Sequence, residues 1–127
     1  MLHFLQSRVR AFHNAFSGLR YVLKTQRNAW IHAIATLLVS AFAFWLEINI
    51  QEWTILILTI GTVWTAEFIN TSLEAVVDLA SPEKHPLAKL GKDVGAAAVL
   101  IASISAIAIG ILILGPPLLQ KLQSIIN

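Results

Sequence analysis

The chain has 127 residues, of which 57% are hydrophobic and 13% are charged, against about 25% charged in an ordinary soluble domain. This composition argues against a water-soluble fold, and the absence of cysteine excludes disulfides, thiol nucleophiles and cysteine metal sites. The formal net charge of +2 is small, and no nucleic-acid partner is expected.

The first segment, residues 2–27, is predicted to form an amphipathic helix. Its apolar residues recur at spacings of three and four, the period of one helical face: Leu2, Leu5, Val9, Phe12, Phe16, Leu19 and Leu23. A second stripe with the same spacing is mostly cationic: Arg10, His13, Ser17, Arg20, Lys24 and Arg27. This pattern suits a helix lying in the membrane interface. The alternative is a soluble helix packed on another domain, but the chain offers no other soluble domain.

Three further segments are long and apolar enough to cross a bilayer, which takes about 20 residues. They are residues 31–48, 53–80 and 94–114. The second segment becomes polar after Ala66 and is predicted to end at Ser81-Pro82. The third carries no charge, is rich in small residues that allow close helix contact in lipid, and is predicted to end at Gly115-Pro116-Pro117. The sequence therefore predicts an all-α integral membrane protein, with an N-terminal interfacial helix and three transmembrane helices. Because no linker divides residues 1–127, they are expected to form a single domain.

The basic residues predict the orientation of the chain. Five of them precede the first span, at Arg8, Arg10, Arg20, Lys24 and Arg27, and three lie between the second and third spans, at Lys84, Lys89 and Lys92. The turn between the first two spans has neither lysine nor arginine. By the positive-inside rule, the N-terminus and the second connection are cytoplasmic, in the compartment that holds ATP. The N-terminal segment does not have the pattern of a signal peptide.

Four polar residues on the second span are candidates for chemistry. At 100° per residue, Glu67, Asn70, Glu74 and Asp78 fall within a band of about 80° on one helix face. Carboxylates at the end of a span usually face a protein interior, a cavity or a metal ion. A solvated cluster in which the neighbouring lysines simply neutralise the acids is the alternative.

Cations and a histidine follow these acids in the sequence, and the mixture suits a phosphate with a divalent ion. Carboxylates hold Mg²⁺, and lysine neutralises phosphate charge during transfer. His85 has no matching set of histidines, so it is interpreted as a polar helix-start residue or a nucleotide contact and not as a metal ligand. No GxxxxGK[ST] phosphate loop is present.

The stretch Glu67-Phe-Ile-Asn-Thr-Ser-Leu-Glu-Ala-Val-Val-Asp78, followed by Lys92-Asp93-Val-Gly-Ala-Ala-Ala-Val99, closely resembles the prokaryotic diacylglycerol kinase family. The resemblance covers nearly the whole chain, including Gly18-Leu19-Arg20, the interfacial helix and the order of the spans. It implies a multi-pass kinase of the bacterial inner membrane that phosphorylates diacylglycerol or undecaprenol with MgATP at its cytoplasmic side. It further implies a homotrimer whose active sites are shared between adjacent subunits.

The resemblance also implies roles for individual residues. Glu67 is similar to the family's catalytic base, Asn70 would orient the reacting groups, and Lys92 would stabilise phosphate charge. Glu74 resembles the carboxylate that holds Mg²⁺ on the phosphates, and Asp78 would support the end of the helix. Nucleotide contacts are implied for Asp93 and His85, with Glu83, Lys84 and Asn14 as weaker assignments.

Two positions depart from the family pattern. Gln26 lies where many members carry a metal-binding glutamate, so it is at most a weak metal ligand through its carbonyl oxygen. Ser7, with Arg8 beside it, lies where some members carry an arginine. A small transporter or channel subunit and a non-catalytic membrane assembly protein are the alternative functions. The first would conduct ions without consuming ATP, and the second would not bind MgATP tightly.

Overall fold

The structure, a computed structural model, describes residues 1–126 except for the side chain of Leu2, so the predicted place of Leu2 in the apolar stripe lies outside the described residues. Within residues 1–126 the chain forms four helices and no strand: α1 Leu2–Thr25, α2 Arg27–Trp45, α3 Ile50–Ala80 and α4 Pro86–Ile126. Helices α2, α3 and α4 are each long and apolar enough to cross a membrane. The predicted all-helical fold, with three membrane-spanning helices after an N-terminal helix, is confirmed.

Helix α3 begins at Ile50, earlier than the predicted Trp53, because a capping box precedes it. The side chain of Asn49 accepts a hydrogen bond from the backbone N–H of Glu52 (3.0 Å), and the Glu52 carboxylate accepts one from the backbone N–H of Asn49 (2.9 Å). These two bonds satisfy amide groups that have no partner within the helix. At its other end the helix stops at Ala80, directly before Ser81-Pro82.

The prediction that Gly115-Pro116-Pro117 ends the last helix is wrong, because α4 continues to Ile126 with both prolines inside it. A proline lacks the N–H that would bond the carbonyl four residues earlier, but packing by neighbouring helices lets a membrane helix tolerate this loss. Lys121 holds the extension in place. Its Nζ donates to the backbone oxygen of Trp45 (2.6 Å) and lies 4.6 Å from the centroid of the Trp45 ring.

Helices α2 and α4 both run antiparallel to α3, and the α3–α4 interface is the most extensive in the described chain. The core lies where the α2–α3 turn meets the second half of α4, and it consists of Ala43, Leu46, Ile48, Leu56, Ile113 and Leu114. We call this the turn end of the bundle. The opposite end, where α2 begins, α3 ends and α4 begins, is called the site end. Large apolar side chains such as Leu37, Leu58 and Ile111 remain exposed along α2, α3 and α4, as lipid-facing helices require.

Helix α1 extends away from this bundle. Residues 3–20 are all exposed, and α1 is joined to the rest of the chain near Val22 and Ala29, which are buried. Its stripe of large apolar residues, including Phe12 and Phe16, is therefore uncovered within the chain. Its position in the membrane interface stays a prediction.

Candidate active site

The polar face of α3 passes from the interior of the bundle to its surface. Glu67 is 1% exposed and Asn70 is 8% exposed, whereas Glu74 is half-buried and Asp78 is exposed. Glu67 is also the largest fully buried side chain among the described residues. An isolated carboxylate is costly to remove from water. The burial of Glu67 is therefore the first indication of a functional site.

The ionisable group nearest to Glu67 is His32 on α2. His32 Nε2 lies 3.7 Å from Glu67 Oε2, which is too long for a hydrogen bond. Both atoms are buried and have no hydrogen-bond partner within residues 1–126. The structure places His32 against Glu67, a contact that the sequence did not predict. No local pattern links His32 to Glu67, since only the packing of α2 on α3 brings them together.

A second pair of residues holds α2 and α3 in register beside His32 and Glu67. Trp64 Nε1 donates to Thr36 Oγ1 (3.2 Å), and the His32 and Trp64 rings meet edge to face with centroids 6.2 Å apart. His32, Thr36 and Trp64 also line a groove of about 700 Å³ between α2, α3 and α4. The rest of that groove is mostly apolar and extends to Leu118 near the turn end.

Asn70 connects the buried part of the polar face to Glu74. Its Nδ2 donates to Glu74 Oε1 (3.1 Å), while its Oδ1 is buried without a hydrogen-bond partner. Oδ1 lies against Gly95 of α4, so closely that a Cβ on that residue would overlap it. Gly95 therefore fixes the Asn70 amide between α3 and α4, with the amino group turned toward Glu74.

The site end is closed by an ion pair between α3 and α4. Lys92 Nζ donates to Asp78 Oδ1 at 2.6 Å. Lys92 precedes the uncharged stretch of α4, and the hydrogen bond that its ammonium group donates to Asp78 raises the pKa of Lys92. Lys92 therefore stays cationic, and Glu74 adds to the attraction. The next residue, Asp93, forms an exposed ion pair with Lys89, one turn earlier on α4 (3.7 Å).

Other predicted site residues lie apart from Glu67 within the single chain. Glu83, Lys84 and His85 are exposed in the connection between α3 and α4. His85 Nδ1 accepts a hydrogen bond from the backbone N–H of Leu87 (3.2 Å), as a polar helix-start residue does. Asn14 is exposed on α1, and Gln26 lies at the break between α1 and α2.

The oxygen donors at the site fit a magnesium ion that is bound together with phosphate. Within the described residues, no three His, Asp or Glu side chains are close enough to hold a metal by themselves. Mg²⁺, however, is usually held by one or two carboxylates plus substrate phosphates. The half-buried Glu74 carboxylate, oriented by Asn70, is the residue that could supply such a ligand.

A family model described as "Prokaryotic diacylglycerol kinase" matches residues 13–114. This chain belongs to the prokaryotic diacylglycerol kinase family. The resemblance found in the stretch from Glu67 to Asp78 is therefore confirmed. The protein is an integral membrane protein and a lipid kinase.

Relatives in this kinase family are named for two different acceptor lipids. The undecaprenol kinase of Bacillus subtilis is 38% identical over 109 residues, covering 86% of this chain and 89% of that protein. The diacylglycerol kinase of Synechocystis sp. is 41% identical over 111 residues, covering 87% of this chain and 63% of that protein. The diacylglycerol kinase of Escherichia coli K12 is 38% identical over 94 residues, covering 68% and 77%. Relatives with a similar sequence identity to this chain are thus named for different acceptor lipids.

Proposed function

We propose that this lipid kinase transfers the γ-phosphate of MgATP to the hydroxyl group of a membrane lipid, either diacylglycerol or undecaprenol, with Glu67 as the general base. The observation that carries the proposal is the burial of Glu67. Its Oε2 has no hydrogen-bond partner, and it lies beside a histidine that lines an apolar groove.

Glu67 is suited to take a proton from a hydroxyl that arrives from the lipid side. As the lipid oxygen forms its bond to the γ-phosphorus, the bond from that phosphorus to ADP breaks and the hydroxyl proton passes to Glu67 Oε2. A buried carboxylate is shielded from water, so a lipid hydroxyl does not compete with bulk water for the base.

The next residues along the polar face of α3 are assigned to the phosphate donor. Glu74 would hold Mg²⁺, which supplies neutralising charge to the phosphates when bound. Asn70 orients Glu74 through their hydrogen bond. Lys92 stabilises negative charge on the phosphates, and its pairing with Asp78 keeps its ammonium group beside Glu74.

The remaining nucleotide contacts are proposed to come from a homotrimer. Within one chain, Glu83, Lys84 and Asn14 are exposed, and α1 leaves a cationic stripe and an apolar stripe uncovered. A neighbouring subunit would bring such groups over the site end. Gln26 remains a weak candidate for a second metal contact, through its amide oxygen alone.

The site end is proposed to face the cytoplasm of a bacterium, in its inner membrane. Lys84 in the α3–α4 connection and Lys89 and Lys92 in the first turns of α4 lie at this end. Arg27 begins α2 at the same end, whereas Lys121 lies at the turn end. This distribution follows the positive-inside rule, and it exposes Glu74 and Lys92 to cellular ATP.

Transfer of radiolabel from γ-labelled ATP to each lipid in mixed micelles tests this function. We expect wild-type protein to label at least one lipid. Glu67→Gln should lower kcat about 10²- to 10⁴-fold, because general base catalysis contributes that range, with little change in the KM for ATP. Glu47→Gln, a neutralisation at the exposed turn end, is the matched control and should retain wild-type kcat. A fully active Glu67→Gln protein would show that Glu67 is not the base.

A further inference from the structure

We propose that residues 115–126 form a hinged strap, which Lys121 latches to the C-terminus of α2. The hinge is the run Gly115-Pro116-Pro117, where the strap leaves the rest of α4. With the latch closed, the strap ties the last turns of α4 to the turn end, and release of Lys121 lets the strap move away. The family model stops at residue 114, so the strap lies outside the matched segment, and it is remote from the site end.

The hinge is a place where α4 loses hydrogen bonds. Pro116 and Pro117 lie inside the helix and have no N–H. The carbonyl groups of Leu112 and Ile113 therefore lack the donors that a regular helix supplies four residues later. Gly115, directly before the prolines, has the lowest helix propensity after proline itself. Three successive residues thus weaken the helix at one point, so the strap depends on its own contacts to stay in place.

Those contacts are few beyond the first turn of the strap. Leu118 packs, partly buried, against the core of the turn end, whereas Leu119, Leu122 and Ile125 are exposed. A segment that buries little apolar surface opens locally at a low cost in free energy. Beyond Leu118, it is Lys121 that supplies the hydrogen bond from the strap to another helix. One side chain therefore controls whether the strap is closed.

The C-terminus of α2 offers Lys121 a carbonyl group that the backbone leaves unpaired. The backbone N–H groups of Glu47 and Ile48 donate to two of the last α2 carbonyls (3.1 and 3.4 Å), in the Schellman pattern that ends many helices. The Trp45 oxygen receives neither bond, and Lys121 Nζ donates to it at 2.6 Å. Since α2 has no basic residue in its own last turn, Lys121 supplies the cation that stabilises a helix C-terminus.

Glu47 is an unfavourable residue at the end of α2 unless a cation lies beside it. Its φ of 58° is in the left-handed region, where glycine is the usual residue. Its carboxylate also lies at the negative end of the helix dipole. Lys121 Nζ is 3.9 Å from Glu47 Oε1 and 4.6 Å from the centroid of the Trp45 ring. A carboxylate, a carbonyl group and an aromatic face thus surround a single cation, which is the geometry of a latch.

Distances between spin labels test the latch. Labels at Gln51→Cys and Gln123→Cys, both exposed, report the separation between the start of α3 and the strap by double electron–electron resonance. Labelled chains are diluted with unlabelled chains in lipid nanodiscs, so that each distance arises within one chain. We expect Lys121→Met to widen the distance distribution about twofold or more, because the strap then opens locally.

Two further variants are matched to Lys121→Met. Lys121→Arg keeps a cationic donor and should keep the narrow distribution of the wild type. Gln120→Met makes a similar change at the neighbouring exposed position of the strap, and it should also leave the distribution narrow.

Replacement of the prolines tests the hinge. Pro116→Ala with Pro117→Ala returns two N–H donors to α4, so this pair should narrow the distribution again when it is added to Lys121→Met. With Lys121 intact, the same pair should slow hydrogen exchange of residues 118–126 by about tenfold or more, because interior prolines strongly weaken a helix. This second measurement does not disturb the latch and does not require Lys121→Met to fold.

Three outcomes contradict the inference. A Lys121→Met distribution as narrow as that of the wild type would show that Lys121 is not the latch. A wide distribution that the two alanines do not narrow would place the motion in the α2–α3 turn. Unchanged hydrogen exchange in the alanine pair would show that residues 115–117 are not a hinge. None of these measurements contains ATP or an acceptor lipid, so their result and that of the phosphate-transfer assay are independent.

Discussion

Glu67 is a carboxylate buried at 1% exposure without a hydrogen bond to Oε2, an arrangement that costs free energy in any fold. The polar threonine side chains of the same helix do not carry this cost, because their hydroxyl groups hydrogen-bond to the helix backbone. Thr54, Thr59, Thr62 and Thr71 each donate to the backbone oxygen four residues earlier. Glu67 has no such local partner for Oε2, so its burial lowers the stability of the free chain, as expected of the proposed base.

Gly95 is the residue whose replacement most directly tests the geometry of the polar face. A Cβ in Gly95→Ala would overlap Asn70 Oδ1, so Asn70 must rotate or α4 must move away. We expect the Asn70–Glu74 hydrogen bond to break, phosphate transfer to fall at least tenfold, and unfolding to become easier by about 1–3 kcal/mol. Thermal unfolding in detergent and initial rates measure both effects.

Gly91→Ala is the matched control for Gly95→Ala, because it lies one turn earlier on α4. The nearest atom to its new Cβ is Val77 Cγ2 at 3.8 Å, an ordinary contact. It should leave both rate and stability close to wild type. Equal losses in the two variants would show that α4 tolerates no added methyl group, and that the contact with Asn70 is not special.

Helices α3 and α4 each combine segments that differ in polarity. Helix α3 has 31 residues, an apolar first half and a polar second half that carries the site. Helix α4 has 41 residues and spans roughly 60 Å at 1.5 Å per residue, about twice the hydrocarbon thickness of a bilayer. Its first turns, with Lys89 and Lys92, are therefore expected to lie outside the apolar layer, and Lys121 in its last turns contacts Trp45 beside the α2–α3 turn.

The capping box of α3 is expected to contribute stability without affecting catalysis. Asn49→Ala removes the side-chain acceptor for the Glu52 N–H and should destabilise the protein by about 1 kcal/mol. Circular dichroism during denaturation in detergent measures this change. Activity per folded molecule should be unchanged, because Asn49 lies at the turn end. Gln51→Ala, also exposed in the first turn of α3, is the control; an equal loss there would rule out the cap as the cause.

At the scale of the whole molecule, antiparallel packing determines which groups meet. The starts of α2 and α4 and the end of α3 share the site end, so His32, Glu67, Gly95 and Lys92 come from three helices to one region. Lys121 stabilises the turn end, where its Nζ also lies 3.9 Å from Glu47 Oε1. The bundle thus separates the end that carries the proposed site from an end with structural contacts.

The orientation of this bundle in the membrane can be measured directly, because the chain has no cysteine. Single cysteines at Glu83→Cys and Gln51→Cys place a thiol in an exposed position at each end. With a membrane-impermeant maleimide, Glu83→Cys should be labelled in inverted inner-membrane vesicles and Gln51→Cys in spheroplasts. The reverse pattern would place the site end away from cellular ATP and contradict the proposed orientation.

The sequence by itself determined the helices, the candidate spans and the family. These features depend on local periodicity, on the cost of charge in lipid and on a motif contained within one stretch, from Glu67 to Asp78. Helix ends were less well predicted: the capping box at Asn49 was present in the sequence but not used, and packing carried α4 past its prolines.

Only the tertiary structure decided which residues face Glu67. His32, Trp64 and Gly95 lie on different turns and helices, and nothing in their own neighbourhoods distinguishes them from ordinary interfacial, aromatic or small residues. Their importance comes from distances between helices, such as the 3.7 Å from His32 Nε2 to Glu67 Oε2. Those distances are set by how side chains interlock across the bundle, which depends on shape as well as polarity, and no periodicity along one helix encodes them.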